Sequence, residues 1–175
     1  MKGICKYFIL CHVKKLVIES GKSQISRLVT MKYPTKLQTD EATSLRMSHV
    51  KLKGGEAERK LAKALWHKGL RYRLNYRKLP GSPDIAIPKY RLAIFVDGEF
   101  WHGENWEERK KTFKRNKEYW IAKIEENIKR DKRVDKELIE MGWEPIHFWE
   151  KHVKRDCDDC VDTIINITNE KNVDR

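Results

Sequence analysis

Cysteine is scarce in this chain and missing from its middle: the four are Cys5, Cys11, Cys157 and Cys160, at the two ends. They read as cytosolic thiols rather than a disulfide framework, and 175 residues can bury a one-domain core without such staples. Cys157 and Cys160 have the spacing of a zinc-ligand pair, but a second pair is missing unless Cys5 and Cys11 fold back to join them. Long apolar runs are absent as well. Tyr7-Phe8-Ile9-Leu10 is too short for a membrane span and no secretory segment follows it, so the expectation is a cytoplasmic protein with no membrane partner. Internal repeats and low-complexity tracts are also lacking. Acidic residues are outnumbered, 26 Asp and Glu against 38 Lys and Arg, which gives a net charge of +12. That excess favours a polyanion, and six Trp and six Tyr available for stacking put nucleic acid ahead of an acidic membrane face.

Residues 1–38 read as a poorly defined extension. The first 30 have weak periodicity and fit an accessory segment or a start placed too early, with Met31 as the alternative start. Lys36 to Gly55 is a polar, basic arm that orders on a partner, and one domain then spans 39–168, followed by a tail at 169–175. From Glu56 the apolar residues Ala57, Leu61, Ala64 and Leu65 recur at helical steps, with Gly69 as the C-cap. Tyr72, Leu74 and Tyr76 alternate with Arg71, Arg73, Asn75 and Arg77, which predicts a strand with one buried and one basic face. Two short strands, Asp84 to Ile87 and Arg91 to Val96, flank a turn at Pro88-Lys89-Tyr90. A charged helical region runs from about Trp106 to Met141, broken near Arg115-Asn116-Lys117. Its inner stripe is Tyr119, Trp120, Ile121, Ile124, Ile128, Val134, Leu138 and Ile139. Gly142 ends it, Trp143 to Trp149 resumes as a strand, and a helix from about Arg155 to Ile167 buries Cys160, Ile164 and Ile167.

The chemistry centres on the hairpin. An antiparallel pair brings the start of its first strand beside the end of its second, so Asp84 and Asp97 meet at one sheet edge. Hard cations such as Mg²⁺ take one or two carboxylates plus substrate phosphates, which suits phosphodiester hydrolysis. His102, five residues beyond Asp97, can take the proton from water, and two metal ions can serve the attacking and leaving oxygens. Pro-Asp and Asp-Gly are also common turn dipeptides, and it is the combination with His102 and the basic charge that favours a catalytic role. The run Arg109, Lys110, Lys111, Lys114 and Arg115 is a candidate phosphate contact, whereas Lys129 through Lys136, with acids interleaved, is a solvated helix face.

Several segments together resemble the very-short-patch repair endonucleases, strand-nicking enzymes of bacterial T:G mismatch repair. They are Pro83-Asp84, Phe95-Val96-Asp97-Gly98-Glu99-Phe100-Trp101-His102-Gly103, Asn127-Ile128-Lys129-Arg130-Asp131 and Met141-Gly142-Trp143, with Thr39-Asp40-Glu41 and Met47-Ser48-His49-Val50 as the amino-terminal arm. The resemblance implies an α/β fold, the restriction-endonuclease-like core, with a mixed central β-sheet flanked by α-helices. It implies that Asp84 is the principal metal ligand, that Val96 lends its backbone carbonyl to the metal, and that His102 is the general base. Asp131 then orients His102 from behind, and Glu58 holds metal-bound water. Phe100 and Trp101 match the aromatic pair that wedges beside the mismatch, and Met47 matches a residue entering from the opposite groove.

The chain departs from that pattern in two places. Asp97 stands where the best-known members carry histidine, which makes it a second candidate carboxylate for the metal. The resemblance implies a structural zinc held by cysteine at the place of Glu99, by a His- and Cys-rich run just after the motif and by a cysteine near Lys151; none is present here, so no zinc of that type is expected. Glu99 is then an added ligand or a strand-end side chain facing solvent. The expected partner is double-stranded DNA, with DNA repair proteins behind it, acted on by a monomer with two Mg²⁺ ions. Alternatives are a nuclease of the same fold in restriction or mobile-element defence, and a DNA-binding module whose catalytic site has decayed.

Overall fold

A computed structural model of the chain describes Leu45 and residues 54–173. Met47, the remainder of the arm, and Cys5 and Cys11 lie outside the described residues.

The first helix, α1, occupies Glu56–His67 and buries Ala57, Leu61, Ala62 and Leu65 along one stripe. Glu58 turns back to its start, where its carboxylate accepts from the amides of Gly54 at 2.9 Å and Gly55 at 3.1 Å. Those two donors have no carbonyl within the helix to reach, so the glutamate fixes where α1 begins. The strands β1 (Arg73–Leu74), β2 (Ile85–Ile87), β3 (Leu92–Asp97) and β4 (Glu144–Trp149) form one sheet in chain order, β1 to β3 antiparallel and β3 with β4 parallel. The strand expected through Tyr72, Leu74 and Tyr76 shrinks to two residues. Asn75 takes φ 47° and breaks the alternation, which leaves Leu74 54% exposed instead of buried. At the tip of the hairpin Pro88–Tyr90 form one 3₁₀ turn, and Arg91 at φ 51° returns the chain into β3.

A parallel neighbour requires a long crossover, supplied by α2 (Trp106–Thr112) and α3 (Lys117–Glu140). The helical region breaks at 113–116, where Asn116 sits at φ 51°, a left-handed conformation that asparagine tolerates better than most residues. With 24 residues α3 is about 36 Å long. Ile124, Val134 and Leu138 of its expected stripe are buried, but Ile139 is 55% exposed, because it lies about 100° around the helix from Leu138. Past Gly142 the chain enters β4, then α4 (Glu150–Arg155) and α5 (Cys157–Val173), so the expected single closing helix is two, and the second continues beyond Ile167.

The sheet is the middle of three layers. One face packs Ile85, Ile87, Ile94, Ile146 and Phe148 against α1, α4 and α5, and the buried thiols Cys157 and Cys160 belong to this core. The other face packs Ala86, Ala93 and Phe95 against Val134 and Leu138 of α3. Each fully buried Leu or Ile contributes about 1.5–3 kcal/mol of transfer energy, so the sheet is held firmly from both sides and its polar end is presented on a rigid frame. Among the described residues no helix is long and apolar enough to cross a membrane.

Candidate active site

Asp84 directly precedes β2. With Ile85 opposite Ile94 and Ile87 opposite Leu92, its carboxylate arrives beside the end of β3, as the hairpin predicts. The Val96 amide donates to Asp84 Oδ2 at 2.8 Å, and the amides of Asn75 and Tyr76 hold the approach by donating to the carbonyls of Asp84 and Pro83. Burial pushes the Asp84 carboxyl up to about 6; the Val96 amide pulls the other way, and the charges of Glu58 and Asp97 add to the rise. A half-buried carboxylate that feels the charges of two others has the chemistry a hard cation requires of an oxygen donor. Among the described residues no three side chains of His, Cys, Asp or Glu converge as a ready-made ligand set. A cation here would depend on Asp84, backbone oxygen and phosphate.

His102 lies in the loop after β3 and is gripped from α3. Its Nδ1 donates to Asp131 Oδ2 at 2.8 Å and lies 3.5 Å from Asp97 Oδ1. Burial opposes protonation of this ring, but the Asp131 hydrogen bond and the two carboxylate charges override it and raise its pKa. Asp131 is shifted down despite its burial, by His102 and then by Arg130, whose Nη2 lies 3.1 Å from Asp131 Oδ1. The loop is fixed at two further points on the same helix. Asn127, 7% exposed, donates to the Trp101 carbonyl at 3.1 Å, and Ile128 packs so closely on Gly103 that a Cβ there would come within 2.6 Å of it.

Three side chains named from the sequence make contacts that the sequence does not suggest. Sequence alone seats Asp97 as a metal ligand; the structure turns its oxygens to histidines, Oδ2 accepting from His147 Nδ1 at 2.6 Å and Oδ1 facing His102. Glu58 is sought as a holder of metal-bound water; its two oxygens cap α1, and only its charge is felt at Asp84. Glu99, at the strand end, accepts at Oε1 from the Lys151 amide at 2.6 Å at the start of α4. The resemblance puts zinc cysteines at the place of Glu99 and near Lys151, among others, and a hydrogen bond joins these two residues here.

His147 and Asp135 were not singled out from the sequence. His147 Nε2 donates to Asp135 Oδ1 at 2.9 Å. Burial disfavours the charge, yet the bonds to Asp135 and Asp97 push the His147 pKa up to about 10. Two periodicities carry the signal: Asp135 follows Asp131 by one helical turn, and His147 pairs with Phe95, two before Asp97, across parallel strands.

Phe100 and Trp101 are half-buried and meet Trp120 of α3, with ring centroids 5.0 Å apart for Phe100 and Trp101, 5.3 Å for Phe100 and Trp120, and 5.9 Å for Trp101 and Trp120. Phe113 joins Phe100 at 6.1 Å. In the basic run, Arg109 is half-buried, with Nη1 shut from solvent and without a hydrogen-bond partner among the described residues, and Lys110 pairs with Glu107 at 2.5 Å. Lys111, Lys114 and Arg115 are exposed.

A mixed sheet between helices, with a half-buried carboxylate at one strand end and a carboxylate-held histidine next to it, defines a hydrolytic nuclease of the restriction-endonuclease-like class. Residues 35–108 match the family described as DNA mismatch endonuclease Vsr. A type II nicking enzyme of Neisseria meningitidis serogroup C is 44% identical over 133 residues, covering 76% of this chain and 90% of that one. One from Haemophilus parainfluenzae is 48% identical over 118 residues, 67% and 84% of the two chains. The DNA mismatch endonuclease Vsr of Escherichia coli strain K12 is 37% identical over 112 residues, 63% and 71%. The chain belongs to the Vsr family and is a DNA endonuclease.

Proposed function

We propose that this endonuclease is Mg²⁺-dependent and nicks one strand of duplex DNA at a T:G-type mismatch, in very-short-patch-type repair. The observation that carries the reading is the His102 to Asp131 hydrogen bond of 2.8 Å next to the half-buried carboxylate of Asp84. Asp84 and the Val96 carbonyl would hold the metal. When bound, it supplies a lowered pKa for water and neutralises charge developing on the phosphate.

The remaining chemistry falls to side chains of this chain. With Nδ1–H committed to Asp131, the neutral His102 ring presents the lone pair of Nε2, which takes the proton of the attacking water; Asp131 then balances the imidazolium. Since the His102 pKa is raised, the fraction in the basic form grows with pH to a point above the ordinary histidine range, and the nicking rate should rise with it. His102→Ala should lower the rate about 10²–10⁴-fold and remove this acidic limb. An unchanged profile would assign proton removal elsewhere.

Phe100 and Trp101, with Trp120 beside them, would enter the base stack, where unstacking is least costly at a mispair. Arg109, Lys110, Lys111, Lys114 and Arg115 would contact phosphate. Met47 is proposed on the opposite groove. The test is purified protein with Mg²⁺ on duplexes carrying each single mismatch, read for strand-specific nicks. Nicking confined to T:G supports the reading, whereas cleavage of matched, unmodified duplex favours a restriction or defence role.

A further inference from the structure

His147 stands in the middle of β4 and has no part in the reaction as described. Its partner across the parallel strands is Phe95, so its ring lies on the face that α3 covers, stacked on Phe95 at 4.8 Å and 11° between planes. An apolar side chain would fit this inward position with less desolvation. Instead the ring is bonded at both ends, Nδ1 to Asp97 Oδ2 at 2.6 Å and Nε2 to Asp135 Oδ1 at 2.9 Å. Such a cluster is retained for stability only weakly, since buried ion groups are often no better than packed apolar ones; what it fixes well is orientation.

The orientation fixed is that of Asp97, which is 8% exposed and lies between two histidines. Asp131 and Asp135, one turn apart on α3, each hold one of those histidines from the far side. Asp97 is the member common to both: 2.6 Å from His147 Nδ1 and 3.5 Å from His102 Nδ1. A metal bound through Oδ2 would have to share that oxygen with the His147 donor, and Oδ1 is turned toward His102.

We propose that His147 is a positioning residue of the phosphodiester reaction, committing Asp97 to His102 and withholding it from the metal, which is left to Asp84 and the Val96 carbonyl. This rests on the nuclease site proposed above.

The test is calorimetric titration of the full chain with Mn²⁺ alone, alongside nicking kinetics. Asp84→Asn should abolish Mn²⁺ binding; its persistence would be a failure of the proposed metal seat, read separately from the variants that follow. Asp97→Asn should lose less than about tenfold in Mn²⁺ affinity while kcat falls at least about tenfold. A larger loss of affinity seats Asp97 on the metal and overturns the inference. His147→Asn and His147→Gln should lower kcat about tenfold or more with KM for DNA unchanged. Adding Asp97→Asn to His147→Asn should lower it no further, because both undo one contact. Losses that multiply, or an unchanged kcat in His147→Asn, overturn it too. If neither His147 variant folds, Asp97→Asn decides alone: kcat must fall while Mn²⁺ binding holds.

Discussion

Asp84 works against the fold that carries it. Its carboxyl titrates near 6 in the native chain against an ordinary 3.8, raised first by burial, so above pH 6 the free protein holds a buried negative charge that the unfolded chain solvates at no cost. The penalty is complete above pH 6 and fades as pH falls from 6 toward 3.8. Asp84→Asn should therefore raise Tm in metal-free buffer at pH 7, by roughly 2–8 °C for a domain of this size, while abolishing nicking and sparing DNA binding. A lowered Tm would show that the carboxylate is stabilised by a contact other than the Val96 amide. His147 has the opposite sign. In the unfolded chain its ring loses its proton near 6.5, in the native one near 10, so the clamp contributes fully below pH 6.5 and is lost as pH rises toward 10. Urea unfolding across that window should show a decline in stability that His147→Gln flattens.

At the scale of elements, α3 is the member that organises the site. Asn127, Asp131 and Asp135 recur every four residues and hold Trp101, His102 and His147 in turn, with Ile128 set against Gly103. Gly103→Ala should be felt in catalysis as well as in stability. Its φ of 74° disfavours any side chain, costing about 1–3 kcal/mol, and the Cβ would push Ile128 away and shift the loop that carries His102. The expectation is a lower kcat with DNA affinity little changed; equal activity in a destabilised protein would mean the loop absorbs the shift. Much of this frame was legible in the sequence. The hairpin, the break before Lys117 and the turn at Gly142 follow from periodicity, proline and glycine, all local signals. The failures are one contact between distant segments and one local turn of the backbone. The carboxylate of Asp97 faces histidines because β4 lies parallel beside β3, and Leu74 is exposed because Asn75 ends its strand, neither of which alternation can foresee.

For the molecule as a whole, a net charge of +12 makes binding to any duplex strongly salt-dependent, and this attraction carries no preference for a mismatch. On the proposed reading, preference comes from the aromatic cluster. Replacing Phe100 and Trp101 together by alanine should weaken binding to mismatched duplex far more than to matched duplex at one salt concentration, and leave the salt slope alone. Equal losses on both, with the fold intact by circular dichroism, would place mismatch recognition elsewhere.

The same cluster has an optical side. Trp101 and Trp120, with centroids 5.9 Å apart and planes inclined by 62°, are close enough for their indole transitions to couple, and skewed enough for the coupling to be chiral. The free protein should show an exciton couplet in its circular dichroism that vanishes in Trp120→Phe. Insertion of Trp101 between bases would separate the pair, so the loss of that couplet on adding a mismatched duplex reports the wedge entering, without any label and before a bond is cut.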